Sequence, residues 1–187
     1  MSDRINTSDF AWKRVVVCGP HHVDPLDEGL VGATMMRVLL AKPACVIVGD
    51  SGTDLLALGA VLRMIQMRHV HPLLDVTAVV TYCLGQVPDL TKLLDAAHLP
   101  SDGSRHVKIL QLEMDPGRGE SYLTRDMVKL GRSGWDCMSS VVLAFTPAGG
   151  WRNAKIMPPL LARAREQGMT VIEVALPNTN GKPPSRC

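Results

Sequence analysis

The chain of 187 residues, 46% hydrophobic and 20% charged, suits one globular domain large enough to build its own core. A formal net charge of +2 with only 4% aromatic residues leaves neither a basic surface nor a stacking platform to argue for nucleic acid, and gives no pull towards an anionic membrane. No apolar run reaches the ~18 residues of a membrane span, and the five cysteines form no CxxC pair and no zinc spacing; with the polar opening Met1–Thr7 they point to a reducing, cytoplasmic setting and imply neither a metal nor a cofactor.

Residues 1–13 are polar and expected to be loose. Arg14 to Gly19 reads as a short buried strand ending in a turn. Asp24-Pro25 signals a helix start, and apolar residues recur at helical spacing from Asp27 to Leu40, with Lys42-Pro43 closing the helix. Ala44 to Gly49 reads as a second buried strand, broken by Asp50-Ser51-Gly52. Thr53 or Asp54 is expected to cap the helix that follows to about Met67. Val76 to Cys83 is β-branched and reads as a strand, Asp89 to Ala97 as a short helix, and His106 to Leu112 as another strand. Asp115 to Gly119 is a turn before a helix over roughly 120–130. Ser139 to Thr146 is a strand and Pro147-Ala148-Gly149-Gly150 a turn. In the helix expected over Asn153 to Gln167, Pro158-Pro159 imposes a kink or a late start near Met157. Thr170 to Ala175 is the last strand, before a polar tail at 177–187. Strands alternating with helices predict a single α/β domain over 14–176: a doubly wound, Rossmann-like fold with a mostly parallel sheet of about five to six strands.

Ligands of such sheets sit beyond the carboxyl ends of the strands, where strand order reverses. Three segments fall at such ends: Gly19-Pro20-His21-His22, Gly49 to Asp54, and Thr146 to Asn153. The second and third should run into helix N-termini, where unpaired amides favour an anion, and glycine lets a phosphate approach the backbone. Gly19, Gly49, Ser51, Gly52, Gly149 and Gly150 are the expected close-approach positions, flanked by Pro20, Thr146 and Asn153. Arg152 and Arg125 are candidates to neutralise phosphate. Asp50 and Asp54 are candidates for ribose hydroxyls or for acid–base work, or else shape the turn and cap the helix. His21 and His22 beside Asp24 suit acid–base or metal chemistry, although neighbours on an extended segment point apart. Neither GxGxxG nor GxxxxGK[ST] occurs, and no serine sits in GxSxG.

These residues resemble the SLOG superfamily of Rossmann-like folds, and within it the small YspA-like proteins. Val15-Val-Val-Cys18-Gly19-Pro20 is similar to that group's first strand and turn. Gly49-Asp-Ser-Gly52-Thr-Asp54 is similar to its second, glycine-rich turn. Leu143-Ala-Phe145-Thr-Pro147-Ala-Gly149-Gly150 and Gly168-Met-Thr-Val171-Ile-Glu173-Val174 are similar to its closing unit, and Arg125-Asp126 to an Arg-Asn pair on the preceding helix. The resemblance covers roughly 14–60 and 115–175, and makes 70–112 look like an insertion. It implies binding or sensing of a nucleotide-derived, phosphate-bearing small molecule in a glycine-lined cleft, and by analogy a homo-oligomer.

Some relatives are phosphoribohydrolases that cut N-glycosidic bonds. Along their motif this chain has Arg152 for a glycine, Asn153 for the threonine and Ile156 for the catalytic glutamate, so an enzyme here would need Asp50 or Asp54 instead. An assembly protein that leaves the cleft unused is the third reading. Single-stranded DNA, bound by another branch, is disfavoured by the charge and the scarce aromatics. Met35, Met36, Met64 and Met67 suit either a dimer face or core packing.

Overall fold

The computed structural model describes residues 7–11, 13–70, 74–81, 88–96, 107–112, 125, 127–129, 131, 140–151 and 157–180. Strands β1 (Arg14–Cys18), β2 (Cys45–Val48), β3 (Asp75–Val80), β4 (Val107–Gln111), β5 (Ser140–Ala148) and β6 (Thr170–Asn180) form one sheet. Its order is β4-β3-β2-β1-β5-β6, and every neighbouring pair is parallel. Helices α1 (Pro25–Leu40), α2 (Thr53–Gln66), α3 (Pro88–Ala96) and α4 (Met157–Glu166) connect or follow the strands. Arg125, Met127, Val128, Lys129 and Gly131 are also helical. The fold is α/β, with a doubly wound, Rossmann-like arrangement. No helix among the described residues is long and apolar enough to cross a membrane.

The central strands read as unbroken apolar runs because both faces of the sheet are covered there. Val15, Val17, Val46, Val48, Val141, Leu143 and Phe145 point to one side, where they meet Val31, Met35, Val38 and Leu39 of α1 and Ala57, Leu58 and Val61 of α2. Val16, Cys18, Ile47, Val142 and Ala144 point to the other, against Leu160, Leu161 and Ala164 of α4. Strands β3 and β4 come from the stretch that looked like an insertion, yet they continue the sheet in register, Val76 opposite Val107 and Val46 opposite Val76. Phe10, on a single 3-10 turn over Thr7–Phe10 within the segment expected to be loose, is fully buried in the first core.

Local chemistry accounts for most element ends. Asp24 caps α1 by accepting from the Leu26 amide, and Pro25 occupies the first turn, where its missing N–H costs nothing. Pro158 and Pro159 lie at the start of the described part of α4, Met157–Glu166, while 153–156 of the expected helix lie outside the described residues. The cap of α2 differs from expectation. Gly52 is its N-cap, with φ 49° and ψ −119° and no side-chain cap bond, while Thr53 and Asp54 lie inside the helix and turn elsewhere.

Strand β6 also runs past Ala175, through Pro177 to Asn180. Its polar end is held by Asp27, buried in the first turn of α1. Asp27 Oδ2 accepts from the amides of Asn178 and Thr179 (2.9 and 2.7 Å) and from the Thr179 hydroxyl (2.7 Å). Its Oδ1 accepts from Asn178 Nδ2 (2.9 Å). The Asp24 amide in turn donates to Thr179 Oγ1 (3.0 Å). Burial pushes the Asp27 carboxyl upward, but these bonds outweigh it and hold it below the usual carboxylate range.

Candidate functional site

β1 and β5 are sheet neighbours although β2, β3 and β4 come between them in sequence, so strand order reverses between them. This is the topological switch point, and the crevice beyond it is where open parallel sheets receive ligands. β5 outruns β1. Cys18, the last residue of β1, lies opposite Ala144, whereas β5 continues to Ala148. Four further residues at about 3.3 Å each raise the β5 end roughly 13 Å above the β1 end. The crevice thus has a tall wall, β5 and β6, and a lower floor built from the turns after β1 and β2.

The floor is close-packed. The Thr53 amide and hydroxyl both donate to the Pro20 carbonyl (3.1 and 3.0 Å), joining the two turns. A Cβ on Gly19 would lie 2.5 Å from Thr53 Oγ1, and one on Gly49 would lie 2.7 Å from Asp54 Oδ2 and 3.0 Å from Arg125 Cζ. A Cβ on Gly52 would overlap the carbonyls of Pro20 and His21. These three glycines therefore admit protein groups at close range. The first two amides of α2 are also taken, Thr53 by Pro20 O and Asp54 by Ser51 O (3.0 Å).

Beneath the floor lies a buried ionic cluster. Arg125 Nη1 donates to Asp50 Oδ1 (2.6 Å) and to Ser51 Oγ (3.0 Å), and its Nη2 lies 3.5 Å from Asp54 Oδ2. Lys129 Nζ donates to Asp54 Oδ1 at 2.9 Å. Asp50 Oδ2 accepts from the amide (2.7 Å) and hydroxyl of Thr81, at the end of β3. Arg125, Lys129, Asp50 and Asp54 are all at most 4% exposed, and two cations balance two carboxylates. Buried charges persist only when paired and hydrogen-bonded in this way. Desolvation pushes the Asp50 carboxyl up, but the Arg125 charge and the Thr81 bonds outweigh it and hold it below its ordinary range. Asp50, Asp54 and Arg125 thus face one another rather than the crevice.

Above this cluster, His21 Nδ1 and Ser51 Oγ are hydrogen-bonded at 2.8 Å, both half-buried, and His22 is exposed. On the tall wall, Gly149 and Gly150 have φ of 78° and 74°, and among the described residues a Cβ on either would meet nothing within 4 Å. The Gly150 amide closes a turn onto Pro147 O (2.9 Å). The indole N–H of Trp151, next in sequence, is shielded from solvent and has no hydrogen-bond partner among the described residues. Thr146 donates to Glu173 Oε2 (3.1 Å), which shares its carboxylate with Arg165. Arg152 and Asn153 lie outside the described residues.

The structure therefore brings Gly19, Pro20, Gly49, Asp50, Ser51, Gly52, Asp54 and Arg125 into one contact network, with Thr146, Gly149 and Gly150 on the neighbouring wall. Sequence reading missed Lys129 and Thr81. A signal for Lys129 was present: Arg125 and Lys129 are one helical turn apart, matching the four-residue spacing of Asp50 and Asp54. Searched against known proteins, the chain matches no family model, and it matches no curated protein in sequence.

Proposed function

We propose that the protein binds a nucleotide-derived, phosphate-bearing small molecule in the switch-point crevice, as a binding or sensing domain of the kind the SLOG-like resemblance implies. The observation that carries this reading is the Gly149-Gly150 turn, which leaves open space at the carboxyl end of β5 next to the strand-order reversal. Two further features support it. Trp151 holds an indole N–H out of water with no acceptor among the described residues, and buried donors nearly always find one. Ser51 and His21 present hydroxyl and imidazole on a floor held rigid by the ion cluster beneath them.

Binding is favoured over N-glycosidic cleavage on chemical grounds. The carboxylates available for that reaction, Asp50 and Asp54, are buried and committed to Arg125, Lys129 and Thr81. A general acid or base must reach the proton it moves, and these two do not face the crevice.

The test is a thermal-shift panel of nucleotides, cyclic nucleotides and ADP-ribose derivatives, with hits assayed for turnover. At 100-fold excess over the dissociation constant a ligand adds about 2.7 kcal/mol, which such a scan detects. A saturable shift that Gly150→Leu abolishes, without product, supports the reading. Product formation favours the hydrolase, and silence across the panel removes the ligand.

A further inference from the structure

Ser51 and His21 form a pair whose geometry goes beyond what holding a ligand needs. His21 Nδ1 lies 2.8 Å from Ser51 Oγ, and Arg125 Nη1 donates to the same oxygen at 3.0 Å. A guanidinium only donates, so Arg125 takes one lone pair of the oxygen and leaves the hydroxyl proton free. Among the described residues, His21 Nδ1 is the one acceptor that this proton meets. The hydroxyl therefore points at a base, while a cation anchored on Asp50 (2.6 Å) faces its oxygen. Both side chains are half-buried at the crevice floor, within reach of a bound molecule. Ser51 stands on the sharp turn between β2 and α2, where Gly52 reverses the chain with φ 49° and ψ −119°. A tight strand-to-helix turn is a setting that presents a serine hydroxyl above the sheet. The two turns are also locked together. Thr53 donates twice to the Pro20 carbonyl, and a Cβ on Gly52 would overlap the His21 carbonyl, so backbone packing fixes His21 against Ser51.

A serine hydroxyl bonded to a fixed histidine, with a cation on its oxygen, is the arrangement of an activated nucleophile. The charge beneath it selects the electrophile. Arg125 and Lys129 are balanced by Asp50 and Asp54, so among the described residues the cluster under Ser51 carries no surplus positive charge. A transferring phosphoryl group asks for such a surplus. A carbonyl carbon under attack develops a single oxyanion, which one or two amides can meet. The Gly52 amide, directly after the serine, donates to no group among the described residues. We propose that Ser51 is a nucleophile with His21 as its general base, and that it takes the acyl group of a carboxylic ester. Ser51 Oγ bonds to the carbonyl carbon as its proton passes to His21 Nδ1. The tetrahedral adduct collapses with loss of the ester's alcohol, which takes that proton from His21. Water then gives a proton to His21 and its oxygen to the acyl carbon, the bond from Ser51 Oγ to that carbon breaks, and the serine recovers the proton. The net change is ester plus water to carboxylic acid plus alcohol. This chemistry does not rest on the phosphate-bearing ligand proposed for the Gly149-Gly150 turn.

The full chain treated with a fluorophosphonate ester, which phosphonylates activated serines in preference to ordinary ones, tests this by mass spectrometry of its peptides. Ser51 should be labelled in the native protein and not in the heat-denatured one. The native protein should also release p-nitrophenol from p-nitrophenyl acetate. Ser51→Ala should abolish both reactions, and His21→Ala should slow both about 10²–10⁴-fold with an unchanged circular dichroism spectrum. Added imidazole should restore part of the rate to His21→Ala, which a purely structural histidine would not allow. No label on Ser51, equal labelling of native and denatured protein, or an undiminished rate in His21→Ala would each overturn the proposal. The comparison of native with denatured protein remains decisive even if a variant fails to fold. Loss of labelling leaves the nucleotide reading untouched, since that is judged by the thermal shift and its response to Gly150→Leu.

Discussion

Replacing Arg125 with methionine removes the guanidinium while keeping most of the side-chain volume, and separates a structural strut from a phosphate ligand. The substitution strips Asp50 Oδ1 and Ser51 Oγ of their donor, and withdraws a charge 3.5 Å from Asp54. Asp54 keeps Lys129, and Asp50 keeps the two Thr81 bonds, so one carboxylate is left under-compensated in the core. Breaking a buried pair this way costs about 3–5 kcal/mol, and the surviving bonds place the loss near the lower end. In a chain of this size, each kcal/mol moves the melting temperature by about 2–4 °C, so a drop of roughly 6–12 °C is expected for a loss of about 3 kcal/mol.

The sign of the pH dependence follows from Asp50. Its folded-state carboxyl is depressed, so its contribution is complete above the unfolded value, about 3.9, and is lost as pH falls through the folded value. Without Arg125, desolvation raises that carboxyl, so the variant's deficit is greatest at neutral pH and narrows towards pH 4 as Asp50 takes a proton. Calorimetry on both proteins from pH 7 to about 4 measures this directly. A melting temperature unchanged by Arg125→Met, or a deficit that does not vary with pH, would refute the reasoning and return Arg125 to the list of ligand groups.

Three other outcomes are expected. Gly52→Ala should destabilise by more than about 2 kcal/mol, because its left-handed φ adds to overlap with the Pro20 and His21 carbonyls; Gly150→Ala, in open space, should cost only the conformational 1–2 kcal/mol or so, as denaturant titration would show. Cys45, whose thiol burial pushes up to about 11, should react with a disulfide reagent at pH 8 on the order of a hundredfold more slowly than a free thiol, measured by mass spectrometry of the labelled peptide. Asp27→Ala should release the end of β6, removing hydrogen-exchange protection at Asn178 and Thr179 and costing about 2–4 kcal/mol, and it should flatten the loss of stability below pH 4.

The central strands were legible because burial on both faces writes them as continuous apolar runs, Val15 to Cys18 and Val141 to Phe145. Helix α1 announced itself through Asp24-Pro25, and α4 through Pro158-Pro159. What local pattern hid was decided by distant partners. Asp54 looks like a cap in its own neighbourhood, but its oxygen is claimed by Lys129, 75 residues away. Pro177-Asn178-Thr179-Asn180 carries no strand signal, and its polar groups are held by Asp27, some 150 positions earlier, which supplies the acceptors. The site was legible as a place, the carboxyl ends of β1, β2 and β5, but not as a division of labour. Glycine after a strand looks the same whether it makes room for a ligand, as at Gly150, or for Thr53, as at Gly19.

The clasp of Asp27 on Asn178 and Thr179 also bears on how the molecule is made. It closes a span of about 150 residues, and until those two residues leave the ribosome the first turn of α1 holds a carboxylate with nothing to receive. Such non-local closures form late and slow the search for the native state. The His21 turn lies only a few residues upstream of this clasp, so a nascent or truncated chain would hold most of its sheet before it held a finished crevice.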